Sequence, residues 1–258
     1  MARLFLHAGP HKTGTTSFQM ALWERRGQQD LAVYVEAASR KNPVNAARFA
    51  NAFTRPGLMT MPRLKGQVPA PDAPLRAAMR AALAAQAPAR GDMVISSEAF
   101  SHLRGTREAA ALRAALAPFD SVIPILVRRN PADWRAARQD QLRKTGVWET
   151  MTALPQGRSS DGPWYYDWQA LCDFWAGFGA VRMVDYDAAL ACDGSVLPAL
   201  ARALDRPGLF DGLEDLWLNR RGEQWARADL AGQIPPRDSA QDTGQNRTQA
   251  TRPGKGMA

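Results

Sequence analysis

A chain of 258 residues, 45% hydrophobic and 22% charged, is long enough for one large α/β domain with a real core. Those proportions exclude wholesale disorder, collagen-like sequence and a disulfide-stapled miniprotein, and no apolar run reaches the ~18 residues that span a bilayer. The net charge is +8, but arginine outnumbers lysine 28 to 5 and the basic residues are scattered rather than run together. No specific nucleic-acid partner is expected, and an anionic small molecule fits the surplus as well. The opening apolar stretch is too short for a signal peptide, so the chain is read as cytoplasmic. Cys172 and Cys192 are read as buried packing residues. Neither they nor His7, His11 and His102 have metal-ligand spacing.

The predicted elements alternate. Residues 3–8 make a short buried strand, followed by a loop over 9–14 and a helix over 15–26, with Phe18, Ala21 and Leu22 at helical spacing. A second strand is expected over 31–35 and a helix over 46–53. Residues 54–74 hold five prolines and no clear period, which predicts a surface excursion and a candidate acceptor lid. Helix 74–87, strand 93–97, helix 106–117 and strand 121–127 follow. Pro131 opens a helix to about Lys144. An aromatic-rich helix is expected over 164–178, a strand over 181–184, and helices over 195–204 and 217–230. Residues 1–231 are taken as one domain and 232–258 as a disordered polar tail. Alternating strands and helices predict a three-layer α/β fold: a mostly parallel central sheet with helices on both faces. Ligands bind such sheets at the carboxyl ends of the strands. Three polar segments follow strands directly, at 9–17, 96–98 and 128–130, and should meet at one edge.

The first of these, Gly9-Pro10-His11-Lys12-Thr13-Gly14-Thr15-Thr16-Ser17, runs from a strand into a helix. Free N–H groups at the helix start and the helix dipole make such a turn an anion cradle. Lys12 adds a full charge, and Thr13, Thr15, Thr16 and Ser17 add hydroxyls. Gly9 and Gly14 have the separation of a Walker A loop. Thr15, however, stands where that pattern has lysine, and Lys12 precedes the second glycine. A metal-dependent nucleotide kinase is therefore disfavoured.

The segment Leu6-His7-Ala8-Gly9-Pro10-His11-Lys12-Thr13-Gly14-Thr15-Thr16-Ser17 resembles the 5′-phosphosulfate loop of sulfotransferases, closest to bacterial members with the HKTGTTS signature. The resemblance implies a P-loop-NTPase-like fold and 3′-phosphoadenosine 5′-phosphosulfate (PAPS) as sulfuryl donor, with the 3′,5′-bisphosphate (PAP) as product and no required metal. It implies that Lys12, Thr13, Gly14, Thr15, Thr16 and Ser17 hold the donor, with Lys12 also catalytic. The strand Val122-Ile123-Pro124-Ile125-Leu126-Val127-Arg128-Arg129 resembles the family's 3′-phosphate strand and makes Arg129 the phosphate arginine. The family serine eight residues on is replaced by Ala137, so either donor binding is weakened by roughly 1 kcal/mol or Arg128, Arg138 or another group takes over. Val94-Ile95-Ser96-Ser97-Glu98 resembles the segment whose Glu is the candidate base. Ser97 also suits a helix cap, with Glu98 favourable to the dipole. His11 competes with Glu98 as base or else donates to the sulfuryl oxygens. His102 is expected on a helix surface. Arg220 and Arg221 resemble a late basic element near the 3′-phosphate.

The function so implied is sulfuryl transfer from PAPS to a hydroxyl or amine, with a carbohydrate or glycolipid acceptor by analogy. Trp164, Tyr165, Tyr166, Trp168 and Trp175 suit either stacking on a sugar or core packing. The alternatives are a P-loop-type nucleotide kinase or NTPase with a degenerate loop and a non-catalytic relative that binds the anion only.

Overall fold

The computed structural model describes residues 1–28, 30–36 and 42–213. The expected helix over 217–230, Arg220, Arg221 and the tail from 232 lie outside these residues. Five parallel strands form one sheet in the order β2-β3-β1-β4-β5. They are β1 (Ala2–His7), β2 (Leu31–Val33), β3 (Gly91–Ser96), β4 (Ser121–Arg128) and β5 (Arg182–Asp185). β1 lies at the centre, with His7 level with Ser96 of β3 on one side and with Ile125 of β4 on the other.

One face of the sheet presents Leu4, Leu6, Met93, Ile95 and Leu126 to a single core cluster. Helices α2 (Ala47–Phe53), α4 (Ala73–Ala84), α5 (Thr106–Leu116) and α8 (Trp168–Ala176) contribute Phe49, Leu83, Leu112 and Trp175 to it. Because side chains alternate along a strand, Phe5, Val94, Ile125 and Val127 point the other way. They too are fully buried. On that side α1 (Thr15–Glu24) packs against α10 (Leu197–Ala203), which also packs on β5. Strand residues buried on both faces explain why the strands are continuous apolar runs.

Local chemistry sets the helix boundaries. Asp72 caps α4 by accepting from the Leu75 N–H at 2.7 Å, and Leu75, Met79 and Leu83 then bury one stripe four residues apart. Asn130 caps α6 (Pro131–Lys144) through the Ala132 and Asp133 N–H groups, and Pro131 fills the first turn.

Several expectations need correction. Residues 54–74 are not a loose excursion. Leu58 and Thr60 are fully buried, and α3 (Met61–Leu64) is held by Arg63, which donates to the carbonyls of Leu58 and Asn51 and to Thr54 Oγ1. Prolines broke the period, but buried polar anchors fix the segment. The helix expected over 164–178 is two pieces, a 3₁₀ turn (Pro163–Tyr166) and α8, because Asp167 turns out of the helix and caps Ala170 at 3.0 Å. Helices α7 (Trp148–Ala153) and α9 (Tyr186–Asp193) were not anticipated. Cys172 is half-buried and packs against the core cluster, whereas Cys192 is exposed and is not a packing residue; both are free thiols. Among the described residues no helix is long and apolar enough to cross a membrane.

Candidate functional site

The three polar segments arrive at one edge of the sheet. The Ala8 N–H donates to the Ile125 carbonyl at 3.0 Å and the Ser97 N–H to the His7 carbonyl at 3.1 Å, so the three strand ends are stitched together. The chain leaves β1 towards β2 and leaves β4 towards β5. These neighbours therefore diverge, and a crevice opens between their ends.

The loop from β1 to α1 lines this crevice. Gly14 ends it in the left-handed region at φ 81° and offers α1 no capping side chain. By contrast, α4, α6, α8 and α9 are each capped by an Asp or Asn. The starts of α2, α3, α7 and α10 lack a side-chain cap as well; what sets α1 apart is that its opening amides lie at the crevice, where an anion suits them. A methyl group on Gly14 would lie 2.7 Å from Val196 Cγ1, so the loop is pressed against the start of α10. The Thr13 hydroxyl donates to the Pro10 carbonyl at 2.6 Å and braces the turn. Thr15 is buried, and its Oγ1 has no partner among the described residues. Thr16 is half-buried and Ser17 buried. An uncapped helix start beside an orphaned hydroxyl fits a phosphate or sulfate group.

Lys12 is half-buried and itself left-handed, at φ 70°. Burial lowers its ammonium from the usual value. Glu98 and Asp140 pull it back up, while Lys144 and Arg129 push it further down. Arg129 Nη1 donates to the Lys12 carbonyl at 2.9 Å, and its guanidinium lies over the Tyr186 ring at 5.1 Å. Its Nε is buried and has no partner among the described residues. Glu98 follows Ser97, whose Oγ accepts from the Ala99 N–H at 3.2 Å, so the cap role expected of Ser97 is met. Burial raises the Glu98 carboxyl, against the attraction of Arg138 and Lys12. A raised carboxyl beside a cation-lined crevice is suited to proton transfer.

His11 is buried, with Nδ1 2.9 Å from the Tyr165 hydroxyl. Burial, then Arg138, His102 and Lys12, keep the ring neutral well below the ordinary histidine range. His102 is not on a helix surface. It is 2% exposed, 5.4 Å from the His11 ring and 5.2 Å from the Tyr165 ring, and neither ring nitrogen has a partner among the described residues. It sits at the end of the short 3₁₀ turn Glu98–His102, which folds back under the loop rather than outward.

The substitutes considered for the missing serine are both engaged. Arg128 is exposed and pairs with Asp185 at 2.9 Å. Arg138 is 0% exposed and holds Asp161 through two bonds of 2.5 and 2.9 Å. It lies beneath the site, where its charge acts on Glu98, His11 and His102. The Asp161 partnership left no mark in the sequence, because the two residues come together only in the fold. Of the five aromatics, Tyr165 and Trp175 are fully buried, and Trp164, Tyr166 and Trp168 are half-buried. Trp134 joins the ring cluster at 5.3 Å from Tyr165 and 5.0 Å from Tyr166. Among the described residues no group of three or more His, Cys, Asp or Glu side chains is placed to hold a metal ion.

The fold has a solved counterpart. A sulfotransferase from Alicyclobacillus acidocaldarius is similar, with a TM-score of 0.51, 17% identity, and coverage of 84% of this chain and 85% of that one. The likeness is one of fold. No protein-family model matches the sequence, and no curated relative matches it.

Proposed function

We propose that this chain transfers the sulfuryl group of PAPS to a hydroxyl or amine acceptor. The observation that carries the reading is the convergence at the β1/β4 crevice. An uncapped helix start, the Lys12 ammonium, the Arg129 clasp and the raised carboxyl of Glu98 all face one small region. The fold likeness supports it at the level of architecture.

In-line transfer between two oxygens needs positioning and charge neutralisation more than covalent help. The amides of Thr13, Gly14, Thr15 and Thr16, with the hydroxyls of Thr15, Thr16 and Ser17, hold the 5′-phosphate. Lys12 neutralises the charge that builds on the leaving phosphate. Arg129 holds the 3′-phosphate while fixing the Lys12 backbone. Glu98 accepts the proton of the attacking acceptor. A carbohydrate or glycolipid remains the acceptor class suggested by analogy.

The test is a thermal melt with PAP, with ATP plus Mg²⁺, and with neither. A ligand at 100 times its Kd adds about 2.7 kcal/mol, a rise of roughly 2–4 °C for a domain of this size. A rise with PAP is expected. A rise with ATP–Mg²⁺ alone would replace the reading with a nucleotide kinase, and no rise with either would overturn donor binding.

A further inference from the structure

We infer that Tyr165 is a positioning residue that holds His11 as the tautomer with its proton on Nε2, making His11 a donor to an anionic oxygen rather than a base. The tautomer follows from where the protons around the phenol go. Around the Tyr165 oxygen lie the His11 backbone N–H at 3.3 Å, His11 Nδ1 at 2.9 Å and Ser101 Oγ at 3.3 Å. The Ser101 proton is committed elsewhere, to the Glu98 carbonyl at 2.6 Å. The His11 N–H donates to the phenol oxygen and occupies one of its lone pairs. A phenol is a good donor and a modest acceptor, and it has one proton to give. Ser101 Oγ, its own proton spent, is the competing acceptor at 3.3 Å; Nδ1 lies closer, at 2.9 Å, and an imidazole nitrogen is the stronger acceptor, so Nδ1 accepts and the ring proton resides on Nε2.

The surroundings hold this arrangement. Tyr165 is fully buried, packed against Trp134, Trp164 and Tyr166, and keeps its proton, with burial pushing its phenol up to about 12. His11 cannot escape this arrangement by becoming charged, because burial and the Arg138 and Lys12 charges oppose it. The consequence divides labour at the crevice. His11 and Lys12, adjacent in the loop, both present N–H groups to negative charge, and Glu98 is left as the acceptor of the substrate's proton. The same carboxyl residue supplies the carbonyl that occupies Ser101, so one short turn sets both assignments.

The identity of the anionic oxygen rests on the sulfuryl-transfer reading; the tautomer does not. The test is therefore run on the ligand-free protein, by long-range proton–nitrogen correlation spectra of the imidazoles. With three histidines in the chain, His11→Gln assigns the signal by its loss. The expected result is a neutral His11 protonated on Nε2, with Nδ1 at the position of a hydrogen-bond acceptor. In Tyr165→Phe, Nδ1 should move to the position of an unbonded nitrogen while the His7 signal, near Ser96, stays in place and reports an intact fold. A His11 ring protonated on Nδ1 in the unaltered protein would overturn the inference, whether or not the variant folds. So would an Nδ1 signal that Tyr165→Phe leaves unmoved. Failure of the donor reading appears instead as an absent PAP response in the melt, a separate measurement.

Discussion

Arg129, at the end of β4, donates from Nη1 to the backbone carbonyl of Lys12, in the loop after β1, at 2.9 Å. The bond crosses the crevice between two neighbouring strands. It joins the residue proposed for one phosphate to the residue proposed for the other, so the two ends of the donor are held by one mechanical unit. Tyr186 supports the guanidinium from behind.

Removing the clasp should therefore weaken donor binding more than a lost surface charge would. Hydrogen bonds from a charged group contribute about 1.5–3 kcal/mol, so Arg129→Ala should raise the Kd for PAP roughly 10- to 100-fold by calorimetry. Arg129→Lys keeps the charge but not the planar fork and should recover only part of the loss. Arg128→Ala, at an exposed arginine paired with Asp185, serves as the control and should leave PAP affinity nearly unchanged. Equal effects at 128 and 129 would show that the crevice responds to charge alone.

Lys12 occupies left-handed backbone, which costs a non-glycine residue about 1 kcal/mol. Its ammonium is also drawn partly out of water. Both penalties fall on the residue assigned to the leaving group, the pattern expected where function is held against stability. Lys12→Gly should thus be no less stable than the natural chain, and up to about 1 kcal/mol more stable in urea unfolding. Its release of PAP from PAPS should nevertheless fall at least ~100-fold. A variant that loses stability and keeps activity would reverse the assignment.

The sheet and the loop were legible in the sequence because their determinants are local. Apolar runs gave the five strands, Asn130-Pro131 gave the start of α6, and the glycines at 9 and 14 with Lys12 marked the cradle. What lay beneath the cradle was not legible. His102 looked like a surface residue, yet the turn Glu98–His102 brings its ring within 5.4 Å of the His11 ring. Tyr165 looked like one aromatic among five, and only the fold brings its hydroxyl to a histidine 154 positions earlier. Arg138 and Asp161 pair across 23 residues with no spacing rule to announce it. The excursion at 54–74 failed in the same way: Arg63 binds backbone carbonyls, and no side-chain pattern records that.

Acid should destabilise this protein well before its arginine-paired aspartates titrate. Burial holds His7 at about 3 and keeps His11 and His102 well below the ordinary value near 6.5. A histidine lowered in the fold contributes stability that is present above the unfolded value and lost as pH falls below it. Between about pH 7.5 and about pH 5.5, three such rings together lose about 4 kcal/mol. Glu36 works in the opposite direction. Burial raises its carboxyl to about 7, against the N–H groups of Arg48 and Phe49 that it accepts from, so its protonated form favours the fold as pH drops. That returns about 2 kcal/mol over the same interval. Asp92, Asp185 and Asp205 are lowered by their arginine partners or the amides they cap, and act only at more acid pH. Glu98, also raised by burial, acts in the same sense as Glu36, so urea unfolding should show a net loss of no more than about 2 kcal/mol on going from about pH 7.5 to about pH 5.5. Glu36→Gln, which cannot take up a proton, should show a loss larger by about 2 kcal/mol. A Glu36→Gln variant whose stability holds steady or rises in acid would mean that the three imidazoles are not buried in the neutral form, and the layer beneath the cradle would have to be redrawn.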